Sequence, residues 1–194
     1  MALSTIPVLF LTIILFVPND KSAYHTVFVG LGSYSNDYGI AQSDASAYKY
    51  FQNETGIDLD ILPGGNYYDP EITHRYNEVI KSKVRDLLKN APLIFIRNGV
   101  LNFGQAYSLG YRTGAPYLIN IGFSILGYII LFFFLVKGNG KIKMLLIAIF
   151  GYSITYVPYY PPIQAYHYGA FILILFIFIE YVDQDQDDQQ KYEE

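Results

Sequence analysis

The side chains able to do chemistry are few and far apart in the chain: His25, Asp44, His74, Arg97, Arg112 and His167. Arg97 and Arg112 suit phosphate, because a guanidinium pairs bidentately with phosphate oxygens; both also suit anchoring to anionic lipid headgroups. Asp44 either orients an acceptor or supports a distant catalytic base, or it is a first-turn carboxylate at the positive end of a helix dipole. His25 either donates to a sugar or phosphate or is a hydrogen-bonded structural residue. In the late run YVPYYPPIQAYHY, Tyr166 suits stacking on the apolar face of a sugar and His167 suits reaching a phosphate. The same tyrosines also fit an interfacial aromatic belt. The catalytic residues themselves are not identified by these patterns.

The histidines are too scattered for a metal motif, so no metal is expected. The chain has no cysteine, which excludes disulfides, thiolate catalysis and Cys-ligated zinc or iron–sulfur sites. No cofactor is expected. A lone G-L-G at Gly30 to Gly32 lacks the spacing of a dinucleotide loop and reads as a packing turn. Asn53-Glu54-Thr55 fits a glycosylation sequon.

These residues sit in a chain built for an apolar setting. Charged residues make up 15% of it, against roughly 25% in a soluble domain, and mean hydropathy is +0.23. The net charge of −4 comes largely from an acidic C-terminal tail, and no basic field suggests nucleic acid as a partner. Apolar residues bunch into four segments, at 3–17, 117–136, 142–157 and 168–182. The fold class expected is therefore an α-helical integral membrane protein of about four transmembrane helices, with the lipid bilayer as partner.

Lys137, Lys141 and Lys143 mark the turn between the second and third segments as cytoplasmic. The N-terminus and the C-terminus are then cytoplasmic, in a bacterial inner or plasma membrane. The expected organisation is a transmembrane helix or signal anchor at 1–17 and a mainly α extracytoplasmic domain at 18–116. Three transmembrane helices follow at 117–182, then an acidic tail at 183–194 that reads as disordered.

Within the outer domain, HTVFVGLG reads as a short strand or extended run entering a glycine turn. SDASAYKYFQNETG reads as a helix with Ser43 as its N-cap and Gly56 as its stop. A second helix opens at Pro70 and places Ile72, Tyr76, Val79, Ile80, Val84, Leu87 and Leu88 on one stripe. The glycine-broken apolar segment carrying Arg97 and Arg112 reads as an interfacial helix along the outer membrane surface.

The stretch 25–48, HTVFVGLGSYSNDYGIAQSDASAY, resembles a signature of bacterial multi-helix membrane glycosyltransferase-like proteins. These are the protein O-mannosyltransferase-like group that uses polyprenyl- or dolichyl-phosphate-linked sugars. The matching residues are His25, Gly30, Leu31, Gly32, Asn36, Tyr38, Gly39, Ile40, Asp44, Ala47 and Tyr48. The likeness covers the C-terminal part of such a protein. It implies help in binding a polyprenyl-phosphate-linked sugar or an acceptor on the extracytoplasmic side, through His25, Asp44, Arg97, Arg112, Tyr166 and His167. Such enzymes hold their catalytic carboxylate in a first outer loop that has no counterpart here. Catalysis is then expected from a separate N-terminal polypeptide, not from this chain alone. The alternative is a non-enzymatic membrane protein whose outer domain is structural or docks a partner. Convergence of His25, Asp44 and the late tyrosine-rich loop on one outer cavity is what the first reading requires.

Overall fold

The computed structural model describes residues 23–108, 110–154 and 157–193, with backbone only at 164–166 and 185–193. The expected first apolar segment, 3–17, lies outside the described residues. Among the described residues there are seven α-helices, a short 3-10 turn and no strand. The chain divides into two units, Met1–Phe95 and Ile96–Glu194.

In the first unit, α1 (Ala23–Leu31), α2 (Asp44–Thr55) and α3 (Pro70–Asn90) pack on one another, with the 3-10 turn Asn66–Tyr68 against α3. The segment expected to be extended is helical instead. Its valines and threonine each cost a few tenths of a kcal/mol in a helix. Burial of Val27, Phe28 and Leu31 is worth about 1.5–3 kcal/mol apiece and overrides that preference.

The capping expectations for α2 hold. Ser43 is extended and its side chain accepts from the Ser46 N–H, while Gly56 closes the helix at φ 71°. The Asp69 carboxylate caps α3 by accepting from the N–H groups of Glu71 and Ile72, with Pro70 just inside the helix. Tyr76, Ile80, Val84 and Leu87 form the buried stripe of α3, meeting Ala47 and Phe51 of the buried core. Basic stems extend the packing outward. Lys83 lies over the Tyr50 ring at 5.6 Å and Arg85 over Tyr24 at 5.9 Å.

The second unit holds most of α4 (Pro92–Gln105), then α5 (Tyr117–Lys137), α6 (Gly140–Ser153) and α7 (Gln164–Glu193). The end of α4 presses on α5 at two glycines. A Cβ at Gly127 would fall 1.7 Å from the Gly104 carbonyl oxygen, and one at Gly104 would fall 2.4 Å from that of Ser124. Small residues here let two backbones touch. Phe134, Ile142, Leu146, Ile149, Ala170 and Ile177 form the apolar core with Ala106 and Tyr107. The segment expected to lie along a membrane surface is thus half absorbed into this core: Asn98, Asn102, Gln105 and Ser108 are all buried.

Among the described residues, two helices are long and apolar enough to cross a membrane, Tyr117–Lys137 and the His167–Gln184 stretch of α7. Four spans are not seen among the described residues. The third expected segment forms α6, with 14 residues, fewer than the roughly 17 a span needs. The acidic tail is also not irregular: α7 continues to Glu193. Extending a formed helix needs no new nucleus, so Gln, Lys and Glu carry it on. At the α5–α6 turn, Asn139 donates to Glu180 at 3.2 Å and Lys141 pairs with Glu180 at 3.1 Å. The Gln184 amide oxygen also accepts from the Asn139 N–H at 3.1 Å.

Gly127→Ala is expected to destabilise the second unit by about 1–3 kcal/mol through forced separation of α4 and α5. Gly122→Ala, with nothing within 4 Å of its new methyl, should be neutral or slightly stabilising. Thermal unfolding of the two detergent-solubilised variants checks the contrast.

Candidate functional site

The site is assembled in the first unit by the turn that joins α1 to α2. At Gly32 the backbone passes so close to the next stretch that a Cβ would lie 2.2 Å from the Ala41 carbonyl carbon. Asn36 then ties the turn internally. Its amide donates to the carbonyls of Tyr34 at 3.2 Å and Ile40 at 2.8 Å, and its oxygen accepts from the N–H groups of Tyr38 and Ile40. The Ala41 N–H donates to Ser46 Oγ at 3.0 Å, joining the turn to the first turn of α2. The result delivers Asp44 to the side of His25.

There the Asp44 carboxylate accepts from His25 Nε2 at 3.1 Å. On the other edge of the ring, Nδ1 bonds the Tyr76 hydroxyl. The roles follow from donor capacity. A carboxylate can only accept, so Nε2 carries the proton, and in the neutral ring Nδ1 accepts from the Tyr76 O–H.

Aromatic rings wall this line of three. Tyr48 stacks on His25 with centroids 5.9 Å apart and planes 27° apart. Tyr67 meets Tyr48 edge-on at 5.8 Å and Tyr76 at 5.8 Å, and Phe51 meets Tyr76 at 5.4 Å. Burial, with the neighbouring tyrosines and Asp44 adding to it, raises the Tyr76 phenol far above the ordinary tyrosine range. Tyr48 and Tyr67 are raised too, again chiefly by burial.

Exposure climbs along the line. Tyr76 is 1% exposed, the His25 side chain 20% and the Asp44 side chain 69%. This order runs opposite to a nucleophilic triad, where the hydroxyl must meet the substrate. Here the hydroxyl is the buried anchor and the carboxylate is the presented end. The arrangement suits holding a carboxylate in one orientation next to the partly exposed rings of Tyr48 and Tyr67 and the exposed Tyr68.

Of the residues singled out in the sequence, His25 and Asp44 are brought together. His74 lies on α3 of the first unit, and Arg97, Arg112, Tyr166 and His167 belong to the second. The Arg97 guanidinium donates to Asn98 Oδ1. The Arg112 guanidinium lies over Phe123 at 5.8 Å, and its backbone is tied to the Asn120 side chain. Tyr166 falls in the first turn of α7, and its side chain lies outside the described residues.

His167, expected to reach a phosphate, is placed by the structure among packed residues. It is fully buried, with Nε2 against the Ala106 carbonyl at 3.1 Å. That carbonyl stands just past the end of α4, where helix carbonyls lack intrahelical donors, and the imidazole supplies one. Among the described residues no cluster of potential metal ligands occurs.

Tyr76 and Tyr67 are the site residues that sequence reasoning missed. Periodicity marks Tyr76 as core. The available clue is that a tyrosine on an otherwise aliphatic buried stripe needs a partner for its hydroxyl. No known protein family, curated protein or solved structure matches this chain.

A phenol raised on folding stabilises the fold below the ordinary tyrosine value and loses that contribution as pH climbs past it. Tyr76→Phe should therefore cost about 0.5–1.5 kcal/mol near neutrality through the lost hydrogen bond. Above about pH 10 the deficit should shrink or reverse, because the variant has no buried phenol to ionise. Chemical denaturation of both proteins at neutral and alkaline pH measures the crossover.

Proposed function

We propose that this chain is a membrane-anchored accessory protein of glycosyl transfer. In this reading the first unit grips the sugar of a lipid-linked donor or of an acceptor, and another polypeptide supplies the catalytic carboxylate. The observation that carries the reading is the braced Asp44 beside tyrosine rings. A carboxylate accepts paired hydrogen bonds from vicinal sugar hydroxyls, and an aromatic face packs on the C–H side of a pyranose. A hydroxyl-bearing ligand needs its acceptor fixed in direction. His25 provides that through one 3.1 Å hydrogen bond to Asp44, and Tyr76 holds the ring from behind by a part-buried one. Membrane attachment is supported by the two apolar helices of sufficient length.

The inverted exposure of the three residues argues for recognition over turnover. The hydrogen bond of the Asp44 carboxylate among the described residues goes to the His25 ring and not to a hydroxyl, and a binding carboxylate needs only to be held and reachable.

Titration of the detergent-solubilised full chain with methyl glycosides, followed by NMR shifts of the tyrosine rings, tests the proposal. Saturable binding of at least one glycoside is expected. Asp44→Asn and Tyr48→Ala should each weaken it by about tenfold, or ~1.4 kcal/mol. Asp86→Asn, on α3, should leave it unchanged. No saturable shift with any glycoside, or full affinity in both site variants, overturns the reading.

A further inference from the structure

Between α2 and the 3-10 turn the chain forms a small loop whose tip is Ile61-Leu62-Pro63. Ile61 and Leu62 are not among the residues of the Asp44 site, although Tyr68 borders both, and their apolar side chains are exposed. Leu62 is 68% exposed, Ile61 47% and the neighbouring Tyr68 59%. An isolated exposed leucine is ordinary. Two large apolar side chains on one short, braced loop, with the exposed Tyr68 ring beside them, are not.

The bracing is extensive. Asn66 Oδ1 accepts from the Asp60 N–H at 2.8 Å, and its amide donates to the Asp58 carbonyl at 2.8 Å. The Asp60 carboxylate accepts from the Leu62 N–H at 3.0 Å, and its carbonyl accepts from the Tyr67 N–H at 3.1 Å. The Tyr68 hydroxyl donates to the Ile61 carbonyl at 3.2 Å, which lays that ring beside the tip. A backbone held this way keeps its apolar side chains outward and has little freedom left to lose on docking.

Charge narrows the choice of occupant. From residue 50 to residue 73 there are the carboxylates Glu54, Asp58, Asp60, Asp69 and Glu71, and no lysine or arginine. An anionic bilayer surface repels such a loop. A second copy of this chain, itself at −4, is also a poor match. We propose that the tip is an anchor for a separate protein whose contact segment places lysine or arginine around an apolar socket. Leu62 fills the socket, and the acidic rim orients the approach.

The test uses the full chain in its producing cells' membranes, with a benzophenone amino acid replacing Ile61 as the probe. Irradiation should give one discrete protein adduct whose cross-linked peptide carries Lys or Arg beside apolar residues. Leu62→Ser should lower its yield by about tenfold, as loss of an interface anchor does. The pair Asp58→Lys with Glu71→Lys should lower it comparably, and high salt should mimic the charge reversal. Circular dichroism of each purified variant confirms that it folds. Adducts with lipid or with this chain alone overturn the proposal. So do a cross-linked peptide without basic residues, a yield indifferent to charge reversal, and the absence of any adduct.

Discussion

A phenol hydroxyl buried among aromatic rings must find a hydrogen-bond partner or destabilise the fold, and in the first unit the partner of Tyr76 is His25. That single requirement fixes the rest of the site. It sets the rotation of the imidazole and assigns its proton to Nε2. It thereby fixes where a carboxylate must come to receive that proton. The turn with Gly32 at its close approach and Asn36 at its centre exists, in this view, to return α2 at the right height. Gly32, Asn36 and Ser46 in the Gly-, Tyr- and Ser-rich stretch serve this placement.

The second unit obeys the same rule in an apolar setting. Several of its buried polar side chains donate to backbone carbonyls of neighbouring segments. Asn102 donates to the Val157 carbonyl, Gln105 to that of Asn120 in α5, and Tyr107 to that of Leu146 in α6. At Val157, outside any helix, a buried side chain takes the place that water would fill. Three buried atoms, Gln105 Oε1, Ser124 Oγ and Ser153 Oγ, have no such partner among the described residues.

Much of this was legible in the sequence, because local signals decide helix ends. Ser43, Gly56, Asp69 and Pro70 mark their boundaries by chemistry that acts within a few residues. The stripe of α3 follows from its period, and α5 from its length and lack of charge. What stayed hidden depends on contacts distant in the chain. HTVFVGLG carries β-branched residues and glycines, and only its burial against α2 and α3 makes it helical. His25 and Asp44 could each be named as polar residues of interest. Their meeting depends on Tyr76, 51 residues from His25, which no spacing rule connects. His167 stood in a tyrosine-rich run read as an interfacial belt or a sugar contact, and the carbonyl that captures it lies 61 residues earlier.

The unbroken course of α7 has a mechanical corollary. The helix reaches Glu193 with no interruption after its apolar stretch, so its acidic end stands roughly 20 Å past Glu180 at the α-helical rise. A continuous helix transmits tilt and rotation along its axis, whereas a slack tether absorbs them. Force applied to those carboxylates by a cationic surface acts on a lever. Its fulcrum is Glu180, where Lys141 and Asn139 hold it.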